Sequence, residues 1–120
     1  MFYYPDCDLA ILTAGTIRTN WLIPKGEVTL RVINEILPFP DKIILLRIPG
    51  DALLQILENS VSQWPAFDGR FSCFSGLKYS FDPERPAGSR VHSVLTAEGG
   101  QPFDFSSEAR YTIAVMEYVA

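Results

Sequence analysis

Three apolar runs of strand length, together with one long amphipathic pattern, limit the fold of this chain more than any other feature. The runs are LAIL at residues 9–12, KIILLRI at 42–48 and YTIAVMEYV at 111–119. Residues 51–63 carry the amphipathic pattern, in which Leu53, Leu54, Leu57 and Val61 lie on one apolar face and Glu58 is predicted to point outward. Buried strands combined with a long helix predict a mixed β-sheet covered by helix, which is the α+β class.

A second, shorter helix and a strand-rich C-terminal half complete the predicted domain. Thr29 is placed to cap a helix that runs to about Ile36. Pro38 and Pro40 then end it, because proline cannot donate a backbone hydrogen bond. Further strands or edge segments are predicted at residues 71–74, 77–81, 90–97 and 101–103. The 120 residues are 48% apolar and 20% charged, which predicts one globular domain over residues 1–120.

Charge and composition exclude several classes of function. A net charge of −4 argues against a nucleic-acid polymer or an anionic membrane as partner. No apolar run approaches the ~20 residues of a membrane span, and MFYYPDCD lacks a signal sequence. We therefore expect the chain as given to be soluble, with its compartment undetermined. His92 is the only histidine, and no metal cluster or catalytic triad can be assembled around it. Cys7 and Cys73 are either one disulfide or two structural thiols.

The first apolar run ends in a loop of small residues and an arginine. Thr13-Ala14-Gly15-Thr16 lets backbone approach a bound group closely, and Arg18 offers a forked donor array suited to phosphate or carboxylate. The segment predicts an anion-binding corner. An ordinary strand end with a surface salt bridge is the alternative.

Two aromatic residues are further candidates for ligand contact. Phe39 lies between Pro38 and Pro40, whose restricted backbone can fix the ring to present its face to a flat ligand. The alternative for Phe39 is a core residue beneath the turn. Tyr118 is predicted near the end of the last strand, where it serves packing, an interface or a ligand.

Several motifs, in register over nearly the whole chain, resemble the C-terminal domain of the 5′-nucleotidase family, which includes UDP-sugar hydrolases. TAGTIR at residues 13–18 matches the family loop Asn-x-Gly-Gly-Ile-Arg, and residues 37–39 match Leu-Pro-Phe. PGDAL at residues 49–53 occupies the Gly-x-x-Leu helix start. GRFSCFSGL at residues 69–77 is similar to Gly-x-Phe-x-Gln-x-Ser-Gly-Leu, with Cys73 in place of glutamine.

The resemblance implies a nucleotide-binding site. Phe39 and Tyr118 fall on the two aromatics that sandwich the base, and Arg18 on the arginine that meets the anionic group. Thr13 stands where the family usually has asparagine beside the base, and Gly15 and Thr16 follow it. Thr16 replaces a glycine that lets substrate lie close to the backbone, and the Gly-Thr pairing is similar to a eukaryotic-microbial branch of the family.

The resemblance also implies what the chain lacks. Family members hold two divalent metal ions in a separate N-terminal metallophosphoesterase domain, using aspartate, histidine and asparagine. A chain with one histidine cannot supply that site, so it is expected to contain no catalytic or metal-binding residues. The family's Gly-Gly-Asp-Gly segment would begin just after Ala120, so we expect the chain to be truncated at both ends relative to the full-length protein. Alone, it is predicted to bind a nucleoside monophosphate or related nucleotide weakly. The alternative is a non-catalytic binding or interaction module that retains the fold.

Overall fold

The computed structural model describes residues 6–120 and confirms the α+β class. Two helices, six strands and two short 3₁₀ turns follow one another along this part of the chain. In chain order they are β1 (Leu9–Thr13), a 3₁₀ turn (Ala14–Thr16), α1 (Leu30–Ile36), β2 (Ile43–Pro49), α2 (Gly50–Val61), β3 (Ser72–Ser75), β4 (Leu77–Phe81), β5 (Val91–Thr96), β6 (Arg110–Met116) and a second 3₁₀ turn (Glu117–Val119).

The strands form a four-stranded mixed sheet and a separate two-stranded one. The larger sheet has the order β2-β6-β1-β3, in which β1 and β6 are parallel and the other pairs are antiparallel. The end of β1, the end of β6, the start of β2 and the start of β3 therefore meet at one edge. We call this the convergent edge. Strands β4 and β5 form the second sheet.

Helix α2 covers the larger sheet with the face that the sequence predicts. Leu53, Leu57 and Val61 are completely buried, and the first two join a core with strand residues Leu9 and Ile113. The helix ends at Val61 rather than Gln63. Its end is fixed by the Arg90 guanidinium, whose Nη1 donates to the carbonyls of Val61, Ser62 and Trp64. These carbonyls lie at the helix end, where no intrahelical donor is available.

Glu58 corrects one feature of the predicted helix. It was expected to point into solvent, but its carboxylate accepts hydrogen bonds from the backbone N–H groups of Arg90 and Val91, each at 2.9 Å. The pattern of apolar residues cannot reveal this role, because the partners lie more than 30 residues away in sequence. Glu58 thus connects α2 to the start of β5.

The last strand is shorter than predicted, and Tyr118 does not lie on it. Strand β6 ends at Met116, opposite Ile43 at the start of β2. Beyond Met116 the backbone turns into the 3₁₀ segment Glu117–Val119, which carries Tyr118.

The remaining expectations concern helix α1, the cysteines and membrane insertion. Thr29 caps α1 as predicted, with its Oγ1 accepting from the Val32 N–H at 3.4 Å. No residue of α1 is fully buried, so its apolar face is only partly covered. No disulfide joins Cys7 to Cys73. Of the two helices described for residues 6–120, neither has the length and apolarity needed to span a membrane.

Candidate functional site

A pocket of about 670 Å³ opens at the convergent edge, and every site residue predicted from the sequence lines it. The predicted residues are Thr13, Gly15, Thr16, Arg18, Phe39 and Tyr118. Five further lining residues were not predicted: Pro40, Asp41, Gly69, Met116 and Val119. The strand order explains this convergence, because the segments that carry these residues all leave the sheet at the same edge.

Arg18 and Phe39 are in direct contact. The Arg18 Cζ lies 5.1 Å from the centroid of the Phe39 ring, within the range of a cation–π interaction. The Arg18 N–H also donates to the carbonyl of Ile36 at 2.8 Å. Ile36 is the last residue of α1, so Arg18 pairs a carbonyl that the helix leaves without a partner. The backbone of Arg18 is thereby fixed beside the turn that carries Phe39.

The structure decides between the alternatives for these two residues. Phe39 is 50% exposed, so it is not a core residue beneath the turn. Among residues 6–120, the ion pairs are Arg31 with Glu35 and Arg70 with Asp68, and neither involves Arg18. The Arg18 guanidinium therefore lies on an aromatic face instead of forming a surface salt bridge. Its N–H donors lie in the plane of the group and remain available to an anion.

Tyr118 is held by its backbone and leaves its ring in solvent. The Asp41 Oδ2 accepts from the Tyr118 N–H at 2.8 Å, and the Asp41 Oδ1 accepts from the Lys42 N–H at 3.0 Å. The N–H of Glu117 donates to the Lys42 carbonyl at 2.8 Å. The Tyr118 side chain is 91% exposed, which excludes a role in packing within the described part of the chain. An exposed ring on a fixed backbone is suited to stacking on a planar group.

The two threonines of the first loop form a hydrogen-bonded pair. Their Oγ1 atoms lie 2.9 Å apart, with Thr16 only 8% exposed and Thr13 half-buried. We call this the Thr13–Thr16 pair. It contributes hydroxyl groups to the lining of the pocket.

Gly15 and Gly69 bring two backbone segments into contact within the pocket lining. The Gly15 N–H donates to the Gly69 carbonyl at 3.0 Å, and a Cβ on Gly15 would lie only 3.1 Å from the Gly69 Cα. Gly69 lies in a turn closed by Arg70, whose Nε and backbone N–H both donate to Asp68 Oδ1 at 2.9 Å. These bonds hold the pKa of the Asp68 carboxyl below its ordinary value.

Of the pocket residues that the sequence analysis did not predict, Gly69 lies in a recognisable motif and Asp41 does not. Gly69 begins the GRFSCFSGL segment, so its position in a motif was a usable signal. Asp41 had none, because its role depends on Tyr118, which is 77 residues away. Aspartate and proline are common in turns of every kind, so the Pro40-Asp41 sequence does not indicate a role in a site.

The chemistry available in the pocket is that of recognition. It offers one guanidinium, hydroxyl groups, an aromatic ring on each of two segments and backbone amides. Within residues 6–120 there is no group of three or more His, Cys, Asp or Glu side chains that could hold a metal ion. The side chains that line the pocket do not fit the two-metal site that the resemblance implies, and we assign no metal-dependent step to them.

A family model and several known proteins match this chain. A model of the family described as "5'-nucleotidase, C-terminal domain" matches residues 1–120. A snake venom 5'-nucleotidase from Crotalus adamanteus is 39% identical over 118 residues, covering 93% of this chain and 20% of the snake protein. The trifunctional nucleotide phosphoesterase protein YfkN of Bacillus subtilis (strain 168) is 26% identical over 112 residues, covering 92% of this chain and 8% of that protein.

The fold is likewise similar to that of a solved member. The crystal structure of the 5'-nucleotidase precursor from Thermus thermophilus matches with a TM-score of 0.83 and 38% identity, over 95% of this chain and 22% of that one. The chain thus spans about a fifth or less of the length of these relatives. Because the family pattern extends over all 120 residues and the fold agrees with it, the chain belongs to the 5'-nucleotidase C-terminal domain family.

Proposed function

We propose that this chain is the nucleotide-binding domain of a metal-dependent nucleotide phosphohydrolase. In this proposal, Phe39 and Tyr118 stack on the base and Arg18 binds the anionic group of a nucleoside monophosphate or a related nucleotide. The observation that supports it best is that residues from three distant segments line one pocket of about 670 Å³. That volume falls within the usual range for small-molecule sites.

The contact between Arg18 and Phe39 fits both roles at once. The guanidinium lies 5.1 Å from the centroid of the Phe39 ring, which is 50% exposed, and in this proposal the base stacks on the face opposite Arg18. The ring in turn restricts the guanidinium, so that less conformational freedom is lost when its N–H fork meets a phosphate. Base stacking on each aromatic contributes on the order of 1–3 kcal/mol.

The electrostatics of the pocket also suit an anion near Arg18. Asp41 is the carboxylate of the lining, and both of its oxygens accept backbone N–H groups. These donors offset its negative charge. Arg18 supplies the positive charge of the lining and has no carboxylate partner among the described residues.

Hydrolysis itself is assigned to residues beyond those described. In this proposal, hydrolysis is carried out by a separate N-terminal metallophosphoesterase domain, which holds two divalent metal ions and activates the attacking water. The much greater length of the relatives is consistent with such a domain. The proposal also assigns the chain to the eukaryotic-microbial branch of the family, to which its Gly15-Thr16 pairing is similar.

Titration with paired ligands tests the proposal. Two-dimensional NMR spectra of the chain would be recorded with AMP, adenosine and ribose 5-phosphate. We expect AMP to shift signals of the convergent edge, adenosine to bind more weakly because it lacks the Arg18 contact, and ribose 5-phosphate more weakly because it lacks the base.

Substitutions then assign the contacts. Tyr118→Leu should weaken AMP and adenosine alike. Phe39→Leu should weaken both and AMP more, because it also releases the Arg18 guanidinium, whereas Arg18→Gln should weaken AMP alone. Phe67→Leu is the matched control, because Phe67 is a fully exposed aromatic that does not line the pocket. AMP shifts that are absent, or that are the same in the Phe39 and Tyr118 variants as in Phe67→Leu, would exclude the base-stacking site.

A further inference from the structure

We propose that residues 19–37 form an arm that packs against the metal-holding domain of the full-length protein. The arm consists of the loop after Arg18, helix α1 and Leu37. The inference rests on the proposed function, because it concerns how a phosphate bound at Arg18 is presented to the metal ions.

The arm is joined to the body of the domain where its two ends meet. The Arg18 N–H donates to the Ile36 carbonyl at 2.8 Å. Within residues 6–120, this is the one hydrogen bond that connects residues 19–37 to the rest of the chain. None of the residues in the arm is buried. The body of the domain therefore leaves most of the arm uncovered.

The uncovered surface of the arm is apolar. Fourteen large hydrophobic residues are exposed within residues 6–120, and six of them lie in the arm: Trp21, Leu22, Ile23, Val28, Leu30 and Ile33. Leu22 is 93% exposed and Leu30 is 72% exposed. A helix as short as α1 gains its stability from tertiary packing, and concentrated apolar surface marks a site of interaction. The arm therefore has the character of a surface that another domain covers.

The position of the arm indicates which domain covers it. Arg18 precedes the arm and Phe39 follows it, and both line the pocket. In the proposed function the phosphate binds at Arg18, and hydrolysis requires metal ions that residues 6–120 offer no cluster of side chains to hold. The domain that carries those ions must therefore approach the pocket at Arg18, where the arm begins. The chain covers only 20% of the snake relative, so that relative has ample length for such a domain.

The charges of the arm favour an apolar contact over an electrostatic one. Lys25 and Arg31 are balanced by Glu27 and Glu35, so the formal charge of the arm is zero. A neutral surface is not attracted to a nucleic-acid polymer or to an anionic membrane. Apolar packing against a folded protein domain is the interaction that this composition supports.

Hydrogen–deuterium exchange tests docking without relying on activity. The N–H groups of residues 19–29 have no acceptor within residues 6–120, so they should exchange rapidly in the 120-residue chain. In the full-length protein, docking should slow their exchange at least several-fold. Residues 84–89 form an exposed loop outside the arm and are the internal control. Their exchange should be the same in both proteins.

Two substitutions then test the apolar surface. Leu22→Asp and Leu30→Asp each place a charge where docking would bury it. In the full-length protein, each should restore rapid exchange to residues 19–29 and lower kcat/KM for AMP by about tenfold or more. In the 120-residue chain, both should leave unfolding by urea and AMP affinity unchanged, because the two side chains are exposed.

Phe67→Asp is the matched control for these variants. Phe67 is also a fully exposed hydrophobic residue, but it lies outside the arm and does not line the pocket. Its replacement should change neither the exchange of residues 19–29 nor kcat/KM.

Each outcome bears on one of the two proposals. Equal exchange of residues 19–29 in the two proteins, or arm variants that behave like Phe67→Asp, would overturn docking and leave the nucleotide site intact. Self-association of the 120-residue chain in analytical ultracentrifugation, abolished by both arm variants, would assign the arm to a second copy and overturn the inference equally. Failure of the wild-type chain to bind AMP would overturn the proposed function and this inference with it.

Discussion

The Asp41 carboxylate accepts the backbone N–H of Tyr118 at 2.8 Å and so joins the two segments that carry the aromatic rings of the pocket. Asp41 lies two residues after Phe39, and its own N–H donates to the Phe39 carbonyl at 2.8 Å. The positions of Phe39 and Tyr118 are therefore coupled through one acidic side chain. Asp41 is a positioning residue in the proposed site.

Replacing Asp41 should weaken ligand binding through this coupling. Asp41→Ala removes both acceptor oxygens and leaves the Tyr118 N–H without its partner, at a cost of roughly 1–2 kcal/mol in the free energy of unfolding. We expect AMP affinity to fall several-fold, and Asp41→Asn to restore part of it because the amide oxygen can still accept. NMR titration with AMP and thermal unfolding measure the two effects.

Asp51→Ala is the control for Asp41. Its carboxylate also accepts a backbone N–H, that of Ala52 at 2.9 Å, but it lies in the first turn of α2 and does not line the pocket. Its loss should lower stability and leave AMP affinity unchanged. If both variants lose affinity equally, Asp41 acts through overall stability alone.

Gly76 is the glycine at which a side chain should be tolerated least. Its φ is +93°, and a Cβ there would clash with the Asp8 carbonyl oxygen. Gly88 has a φ of +90° with nothing within 4 Å of the added carbon. Gly88→Ala should therefore cost about 1–2 kcal/mol from backbone strain alone, whereas Gly76→Ala should cost clearly more. Urea denaturation gives both values, and equal costs would show that the contact with Asp8 relaxes freely.

Glu58 should contribute more to stability than an ordinary surface acid. Its two oxygens accept the N–H groups of Arg90 and Val91, so Glu58→Ala leaves two part-buried donors unpaired. We expect a loss of roughly 2–4 kcal/mol from two such groups. Glu35→Ala is the comparison, because its exposed ion pair with Arg31 contributes roughly 0–1 kcal/mol. Chemical denaturation of both variants checks the ranking.

Asp68 predicts a pH dependence with a definite sign. The hydrogen bonds from Arg70 lower the pKa of the folded carboxyl, so the ionised form is favoured by folding. The stabilisation is fully present above the ordinary carboxyl pKa of about 4 and is lost as pH falls through the lowered folded value. The melting-temperature gap between wild type and Asp68→Asn should be constant near neutral pH and close in acid. A gap that widened below pH ~4 would contradict the assignment.

Features of the fold that depend on local sequence were predictable. Leu53, Leu57 and Val61 recur at helical spacing, and Thr29 precedes an apolar helical face, so both helices were found with errors only at their ends. The loop at residues 13–18 and the turn around Phe39 were also found, because small residues and prolines restrict the backbone directly.

Features that depend on distant partners were not predictable. Alternation alone extends the last strand to residue 119, but the acceptor on Asp41 draws the Tyr118 N–H out of the strand direction. The outward position predicted for Glu58 fails for the same reason, since its donors lie on β5. The hydrogen bond between Thr13 and Thr16 spans only three residues, yet it requires the 3₁₀ turn at Ala14–Thr16, which the residue types do not specify uniquely.

The contact between Gly15 and Gly69 has a consequence for how this site can change during evolution. Where two glycine backbones meet, the pocket surface consists of peptide groups, which are the same in any protein. A Cβ on Gly15 would lie 3.1 Å from the Gly69 Cα, and one on Gly69 would lie 3.3 Å from the Gly15 Cα, so a side chain at either position would press the two backbones apart. New ligand preferences must therefore arise on the facing surfaces, at Thr13, Thr16 and the two aromatic rings, while the glycine contact sets a fixed boundary around which they vary.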